Sequence, residues 1–210
     1  MRVERTGQAP EIKTLTRWSR YSAQGDRVTI KFNEPAADRG MGLLIAREPG
    51  STAASQMWLR MPSWPQARRI AGDREARYFG GTDLTFEDNR QLMGEAVADF
   101  NYRTIKADAQ GWLIEATPKQ AGSSGYAKRL IQLSAQRAVV QIQYFDLDGS
   151  PLKTQRHEGL LVETTGRWRA GVVLVDNHKE GSRTRLEISK RDLSQAVPER
   201  VFNPNFLGDL

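Results

Sequence analysis

The sequence predicts a mainly β (α+β) fold made of antiparallel strands. Three observations carry that expectation: strict two-residue alternation in several runs, glycine-centred turns between the runs, and little helical periodicity. In Arg27-Val28-Thr29-Ile30-Lys31-Phe32, the apolar Val28, Ile30 and Phe32 share one face. Arg27, Thr29 and Lys31 share the other, as in a sheet with one solvated side. Thr184, Leu186 and Ile188 oppose Arg183, Arg185 and Glu187 in the same way. The expected packed face therefore holds Val28, Ile30, Phe32, Leu186 and Ile188, with Lys31 and Arg185 outside.

The elements follow in order. The first strong strand, Arg27 to Phe32, is entered through Gln24-Gly25-Asp26. Gly50-Ser51-Thr52-Ala53-Ala54-Ser55 reads as a flexible hairpin loop. Pro62 and Pro65 bracket Ser63-Trp64 and break any ladder there, because proline has no amide hydrogen to donate. Gly80-Gly81 allows a sharp strand-to-helix turn. Thr85 to Ala98 is the best helix candidate, capped by Asp83 or Thr85, with Phe86, Leu92, Met93, Val97 and Phe100 as its apolar residues. Gly94 weakens it by about 1 kcal/mol relative to alanine, so a short or broken helix is expected. Strands then follow at Trp112 to Thr117, Ala127 to Leu133, Val139 to Phe145 and Trp168 to Val175. Gln120 to Gly125 forms a loop, and Ser194 to Val197 a turn before Pro198. Turns at Ala109-Gln110-Gly111, Leu147-Asp148-Gly149, Thr165-Gly166 and Glu180-Gly181 supply the positive φ of tight hairpins. This spacing predicts a meander of about ten or eleven strands.

Composition sets the boundaries. A chain of 210 residues suits one domain over 1–210. It contains 39% hydrophobic and 27% charged residues, a globular balance. With 0 cysteines, disulfides, zinc–thiolate sites and cysteine nucleophiles are excluded. No apolar run approaches the ~20 residues of a membrane-spanning helix, and no signal-peptide pattern stands in the sequence. The net charge is +6. A basic balance favours anionic partners, but the basic residues are spread along the chain and diluted by acids such as Asp73 and Glu75. Nucleic acid is not an expected partner, since only the isoelectric point would argue for it.

The chemistry-bearing residues form no catalytic or metal motif. His157 and His178 stand apart, no Gly-x-Ser-x-Gly elbow accompanies them, and they lack metal-ligand spacing. Asp146-Leu147-Asp148-Gly149 lacks the position-six glycine and position-twelve glutamate of a calcium loop and reads as a hairpin turn. Asp83, Glu87 and Asp88 are acids of the kind that exchange protons. They suit equally a helix cap and first-turn partners of the helix dipole. No catalytic residue, metal or cofactor is therefore expected. The remaining signal is aromatic: Trp18, Trp58, Trp64, Trp112 and Trp168 lie in or beside strands, and Met41, Met57, Met61 and Met93 would make an apolar surface adaptable. The segment from Trp58 to Asp88 is densest in aromatics, arginines and carboxylates.

Several motifs in sequence carry a resemblance. They read Phe32-Asn33-Glu34-Pro35, Arg39-Gly40, Trp58-Leu59-Arg60-Met61-Pro62, Arg68-Arg69-Ile70 and Phe79-Gly80-Gly81-Thr82-Asp83-Leu84-Thr85-Phe86-Glu87-Asp88. Thr117-Pro118-Lys119, Tyr126-Ala127-Lys128 and Tyr144 to Thr154 follow, then Asn177, Thr184 and Phe202 to Leu207. Together they resemble the LolA-like family of outer-membrane lipoprotein-sorting proteins over nearly the whole chain. Arg60 stands where tyrosine is usual, Gly81-Thr82 replaces Gly-Ser, and Leu84 replaces an aromatic. Met1 to Gly7 is similar to the family's first strand, so a signal peptide and helical segment would precede it in a full-length relative.

The resemblance implies a strongly curved antiparallel sheet, an unclosed barrel, with short helices on its concave side. It also implies a periplasmic carrier whose ligand is a lipid or acylated protein, with an inner-membrane exporter as partner and a peripheral membrane contact. Trp58, Trp64, Phe79 and Phe86 are the expected ligand-binding aromatics, with Arg68 or Arg69 meeting a headgroup at the mouth. Two other readings stand beside it. One is a protein-interaction adaptor of an envelope transport complex, which would expose an apolar patch. The other is an enzyme in which Asp83, Glu87 and Arg69 converge in the cavity.

Overall fold

The computed structural model describes residues 1–48, 55–94, 97–163 and 166–208. The expected loop at 50–55 lies outside them except for Ser55, as does Thr165 of one expected turn. The described strands are β1 (Arg2–Arg5), β2 (Glu11–Ile12), β3 (Thr14–Ser22), β4 (Gly25–Glu34), β5 (Gly42–Arg47), β6 (Gln56–Arg60), β7 (Arg68–Ile70), β8 (Phe100–Asp108), β9 (Gly111–Pro118), β10 (Lys128–Ser134), β11 (Val139–Phe145), β12 (Pro151–Glu158), β13 (Leu161–Val162), β14 (Trp168–Arg169), β15 (Val172–Asn177) and β16 (Ser182–Glu187). One α-helix, α1 (Phe86–Gln91), stands between β7 and β8, and four short 3-10 turns complete the elements.

Every strand pairing is antiparallel. The fold class is as expected: mainly β, a large antiparallel sheet not closed into a barrel, and few short helices. Hydrogen bonding divides the strands into a nine-stranded sheet, β2-β1-β16-β15-β12-β11-β10-β9-β8, and a five-stranded meander, β3-β4-β5-β6-β7, beside the β13–β14 hairpin. Lys13 alone separates β2 from β3, so the chain steps from one sheet edge to the next through one buried residue. The N-terminal strand is locked by the C-terminal one: Val3 lies opposite Thr184.

The predicted strand over Trp168 to Val175 is two strands. Gly171 donates its amide to both Glu158 O and Gly159 O at 3.0 Å. This turns the chain, so Trp168–Arg169 pairs with Leu161–Val162 while Val172 onward joins β12. The helix is shorter than expected. Thr85 caps it: its hydroxyl accepts the Asp88 amide at 3.1 Å while Asp88 Oδ2 accepts the Thr85 amide at 2.7 Å, a reciprocal capping box. It ends at Gln91, ahead of Gly94 at φ +139°, a conformation L-residues rarely adopt.

The main core lies on one face of the meander, where Val28, Ile30, Phe32, Leu43, Ile45 and Met57 meet Phe79, Phe86 and Met93. The face expected to be wet is partly covered. Thr29 is fully buried and donates its hydroxyl hydrogen to Val201 O at 2.8 Å. The C-terminal segment lies across that face, packing Phe202 and Leu207 on Leu44 beside Trp18 and Trp58. Ile188 departs from the expected packed set. It lies just past the end of β16 and is 40% exposed, whereas Leu186 packs near Leu84, Val173 and Val175.

Candidate functional site

The site is built around the turn that leads into α1. Gly80 and Gly81 both have positive φ, +62° and +67°. At Gly80 the hydrogen is required by packing too, since a Cβ there would lie 2.7 Å from Phe32 Cζ. Phe79 therefore meets Phe32 edge-on at 5.4 Å and Phe86 at 5.2 Å, both favoured aromatic separations.

Buried polar bonds then pin the turn and the helix to the nine-stranded sheet. Thr184 Oγ1 donates to Asp83 Oδ2 at 2.7 Å, and the Ser182 hydroxyl donates to Asp83 Oδ1. Asp88 receives the Lys153 ammonium on Oδ2 and the Tyr126 hydroxyl on Oδ1 at 2.8 Å. Glu87 accepts from Ser124 Oγ at 2.6 Å and from the Gly125 amide at 2.9 Å. Burial raises the Glu87 carboxyl above the ordinary carboxylate range, partly offset by those two bonds. α1 thus turns its polar side to one sheet, while Phe86 packs into the core of the other.

Between α1, edge strand β3 and the segment after β16 lies a cavity of about 420 Å³. Its apolar lining includes Leu15, Ile30, Phe32, Phe79, Leu84, Leu92 and Leu186, with Tyr21 on the same face of β3 and Trp18 bordering it at the strand edge from the other face. That size and lining suit a small apolar ligand. Charged residues also line it: Arg17, Arg169, Lys190, Arg191 and Lys13, against Glu163, Glu187 and Asp192.

Arg17 occupies an unusual place. It lies opposite Ile30 in the β3–β4 register, in the same parity as Leu15 opposite Phe32, so it stands on the face that carries the core. It donates to Tyr21 Oη at 3.3 Å and to Leu92 O at 3.4 Å, and forms no ion pair with a described residue. The side chain is accessible because the cavity is open, yet protein surrounds it. That enclosure lowers its proton affinity from the usual arginine value; Tyr21 offsets the effect, and repulsion from Arg169 and Arg191 adds to it.

Among the six residues expected to bind ligand, Phe79 lines the cavity. Phe86 packs behind it, and Trp64 lies at the margin of the same core. Trp58 points to the opposite face of the meander, against Leu44, Phe202 and Leu207. Arg68 and Arg69 are exposed on β7, at the far edge of the meander from β3, and Arg68 stacks on Trp64 at 4.4 Å. None of Asp83, Glu87 and Arg69 lines the cavity, so the convergence that an enzyme reading needs is not formed there. No group of three or more metal-ligating side chains occurs among the described residues. Nor is any helix among them long and apolar enough to cross a membrane.

Comparison with solved structures shows that these antiparallel, unclosed sheets with a short helix between them form a LolA-like fold. The structure is similar to an outer membrane lipoprotein-sorting protein domain from Vibrio parahaemolyticus (TM-score 0.86, 22% identity, 99% of this chain and 88% of that one). It is similar to a DUF1329 family protein from Desulfovibrio piger (TM-score 0.82, 20% identity, 96% and 86% covered). A LolA superfamily protein from Nitrosomonas europaea aligns with TM-score 0.68 at 18% identity, again over 96% and 86%. The chain belongs to the family, described as "uncharacterized protein", whose model matches residues 24–209. No curated protein matches it.

Proposed function

We propose that this protein is a periplasmic carrier that takes up the acyl part of a lipid or lipoprotein in the 420 Å³ cavity, without chemistry. The observation that carries this reading is the cavity itself. It sits where the two sheets fail to close, is lined by Leu15, Ile30, Phe32, Phe79, Leu84 and Leu92, and opens to solvent beside β3. The fold shared with a lipoprotein-sorting domain supports it. So do exposed apolar side chains near the opening. Leu161 (65% exposed) is paired with the cavity residue Arg169, and Leu193 (73% exposed) itself lines the cavity. Exposed apolar groups there suit a peripheral contact with a membrane or an envelope exporter during transfer.

The test is a titration of the folded protein with a fluorescent fatty acid, followed through tryptophan emission. Trp18 borders the cavity at the β3 edge, from the strand face opposite Leu15, and Trp58 and Trp64 do not border it, so Trp18→Phe should reduce the ligand-dependent quenching. Ile188→Trp fills the cavity from its exposed rim and should weaken binding at least ~10-fold while leaving the thermal transition in place. Saturable binding unaffected by Ile188→Trp, or no binding to any acyl compound, would overturn the proposal.

A further inference from the structure

We propose that Arg17, supported by Arg169 and Arg191, holds the anionic headgroup, a carboxylate or phosphate, of the amphiphile whose chain occupies the cavity. This inference rests on the carrier reading and names the ligand class of the same site.

Placement is the first argument. Inward positions of β3 and β4 hold Leu15, Ile30 and Phe32, and Arg17 interrupts that apolar row. Its guanidinium is exposed to solvent in the open cavity, so a ligand that displaced that water would have to supply the counter-charge. No described side chain supplies one: the bonds of Arg17 go to a tyrosine hydroxyl and a backbone carbonyl, both neutral.

Charge balance is the second. Arg169 and Arg191 approach the same oxygen, Glu163 Oε1, at 3.4 and 3.1 Å. Two guanidiniums therefore share one carboxylate, and Arg17 beside them pairs with none among the described residues. Of the other cavity acids, Glu187 pairs with Arg185 at 3.3 Å, while Asp192 keeps its charge and is turned to the Ser194 amide at 2.9 Å and hydroxyl at 2.7 Å. Lys13 is neutralised by Glu11 and Asp38.

Preorganisation is the third. Tyr21 gathers the cluster. Its hydroxyl accepts from Arg17, and its ring lies under Arg167 at 4.1 Å and Arg169 at 5.0 Å. Cations held together by a ring and one carboxylate are set to accept an anion by charge-assisted hydrogen bonds. The repulsion that Arg169 and Arg191 exert on Arg17 would be relieved by the bound anion. The apolar residues lie directly beside this cluster, so headgroup and chain are served by one continuous site.

The experiment compares three probes by calorimetry: palmitate, the uncharged monoacylglycerol of the same chain length, and inorganic phosphate. Each is titrated into the wild type, Arg17→Met and Arg17→Lys. Methionine keeps an apolar stem on the inward face, and thermal melts confirm folding of both variants. The expected result is a preference for palmitate over the neutral lipid of about 10- to 100-fold, lost in Arg17→Met and partly kept in Arg17→Lys. Affinity for the neutral lipid should be unchanged by either substitution. Added salt should weaken palmitate binding alone. Equal affinity for the charged and neutral lipids, or an equal loss of both in Arg17→Met, would overturn this inference and leave the carrier reading standing. Phosphate binding as tight as palmitate would reassign the cluster to a free anion. No binding of either lipid to the folded wild type would overturn both proposals.

Discussion

Replacing Lys153 by methionine should strongly destabilise the protein. Lys153 is completely buried, as is the carboxylate of Asp88 that it meets. Its ammonium also donates to Asp83 O at 3.1 Å and lies 4.9–5.5 Å from the rings of Tyr78, Tyr126 and Tyr144. Methionine fills nearly the same volume, so packing loss is small. What remains is an Asp88 carboxylate with two hydrogen bonds, from Thr85 N–H and Tyr126 O–H, and no counter-charge. Stripping one partner from a buried pair costs about 3–5 kcal/mol. At about 2–4 °C per kcal/mol for a chain of this size, the melting temperature should fall by roughly 6–20 °C. Asp88→Asn should cost a similar amount, because it strands the ammonium instead. The double variant Lys153→Met/Asp88→Asn should be no worse than either single, since it contains no unpaired buried charge. Urea melts of the four proteins complete the cycle. Single costs below about 1 kcal/mol, or costs that simply add, would refute the argument that this pair acts as a buried unit.

Two further outcomes are expected. Gly80→Ala forces a left-handed backbone on alanine and drives its Cβ to 2.7 Å from the Phe32 ring, whereas at Gly81 the nearest atom is the end of Lys13 at 3.7 Å. Gly80→Ala should therefore cost about 2–5 kcal/mol and Gly81→Ala only the backbone share of about 1–2 kcal/mol; equal losses in denaturant melts would contradict the packing account. Burial lowers the proton affinity of His157 below its ordinary value of 6.5. The unfolded chain thus binds more protons at this site, and its contribution to stability, complete above pH 6.5, is lost as pH falls below that value. Replacement by glutamine should flatten the stability–pH slope between pH 7.5 and 5.5 by at most about 1.4 kcal/mol per pH unit; an unchanged slope would remove His157 as a contributor.

Alternation made β4, β9, β10, β11 and β16 legible, because side chains on a strand with one packed face must obey a period of two. It failed where tertiary cover was invisible. Thr29 reads as solvated from its neighbours, yet a segment some 170 residues away lies over it. The pairing of β1 with β16 and the division into two sheets are non-local in the same sense and leave no local signal. The aromatic segment from Trp58 to Asp88 was conspicuous, but density of aromatics does not fix their direction. Parity does. Met57 and Leu59 face the core, so Trp58 between them must face the other way. The same rule contained the cavity's cation: Leu15 and Arg17 share a face. A charged residue at that position reads first as evidence of a wet face, and only the register opposite Phe32 and Ile30 shows that the face is apolar.

The two sheets also explain why a polar network lies under an apolar cavity. They share no backbone ladder and are joined in sequence by Lys13 and in space by the α1 region. That region must therefore satisfy two unlike surfaces at once. Asp83, Glu87 and Asp88 bind hydroxyls, an amide and an ammonium from the nine-stranded sheet and its 120–126 loop, contacts whose geometry is directional. Phe79, Phe86 and Met93 meet the meander through apolar burial, which carries no directional preference of that kind. The polar side of this segment is thus spent on the nine-stranded sheet, and its apolar side is left to face the meander, where Leu15, Ile30 and Phe32 line the cavity.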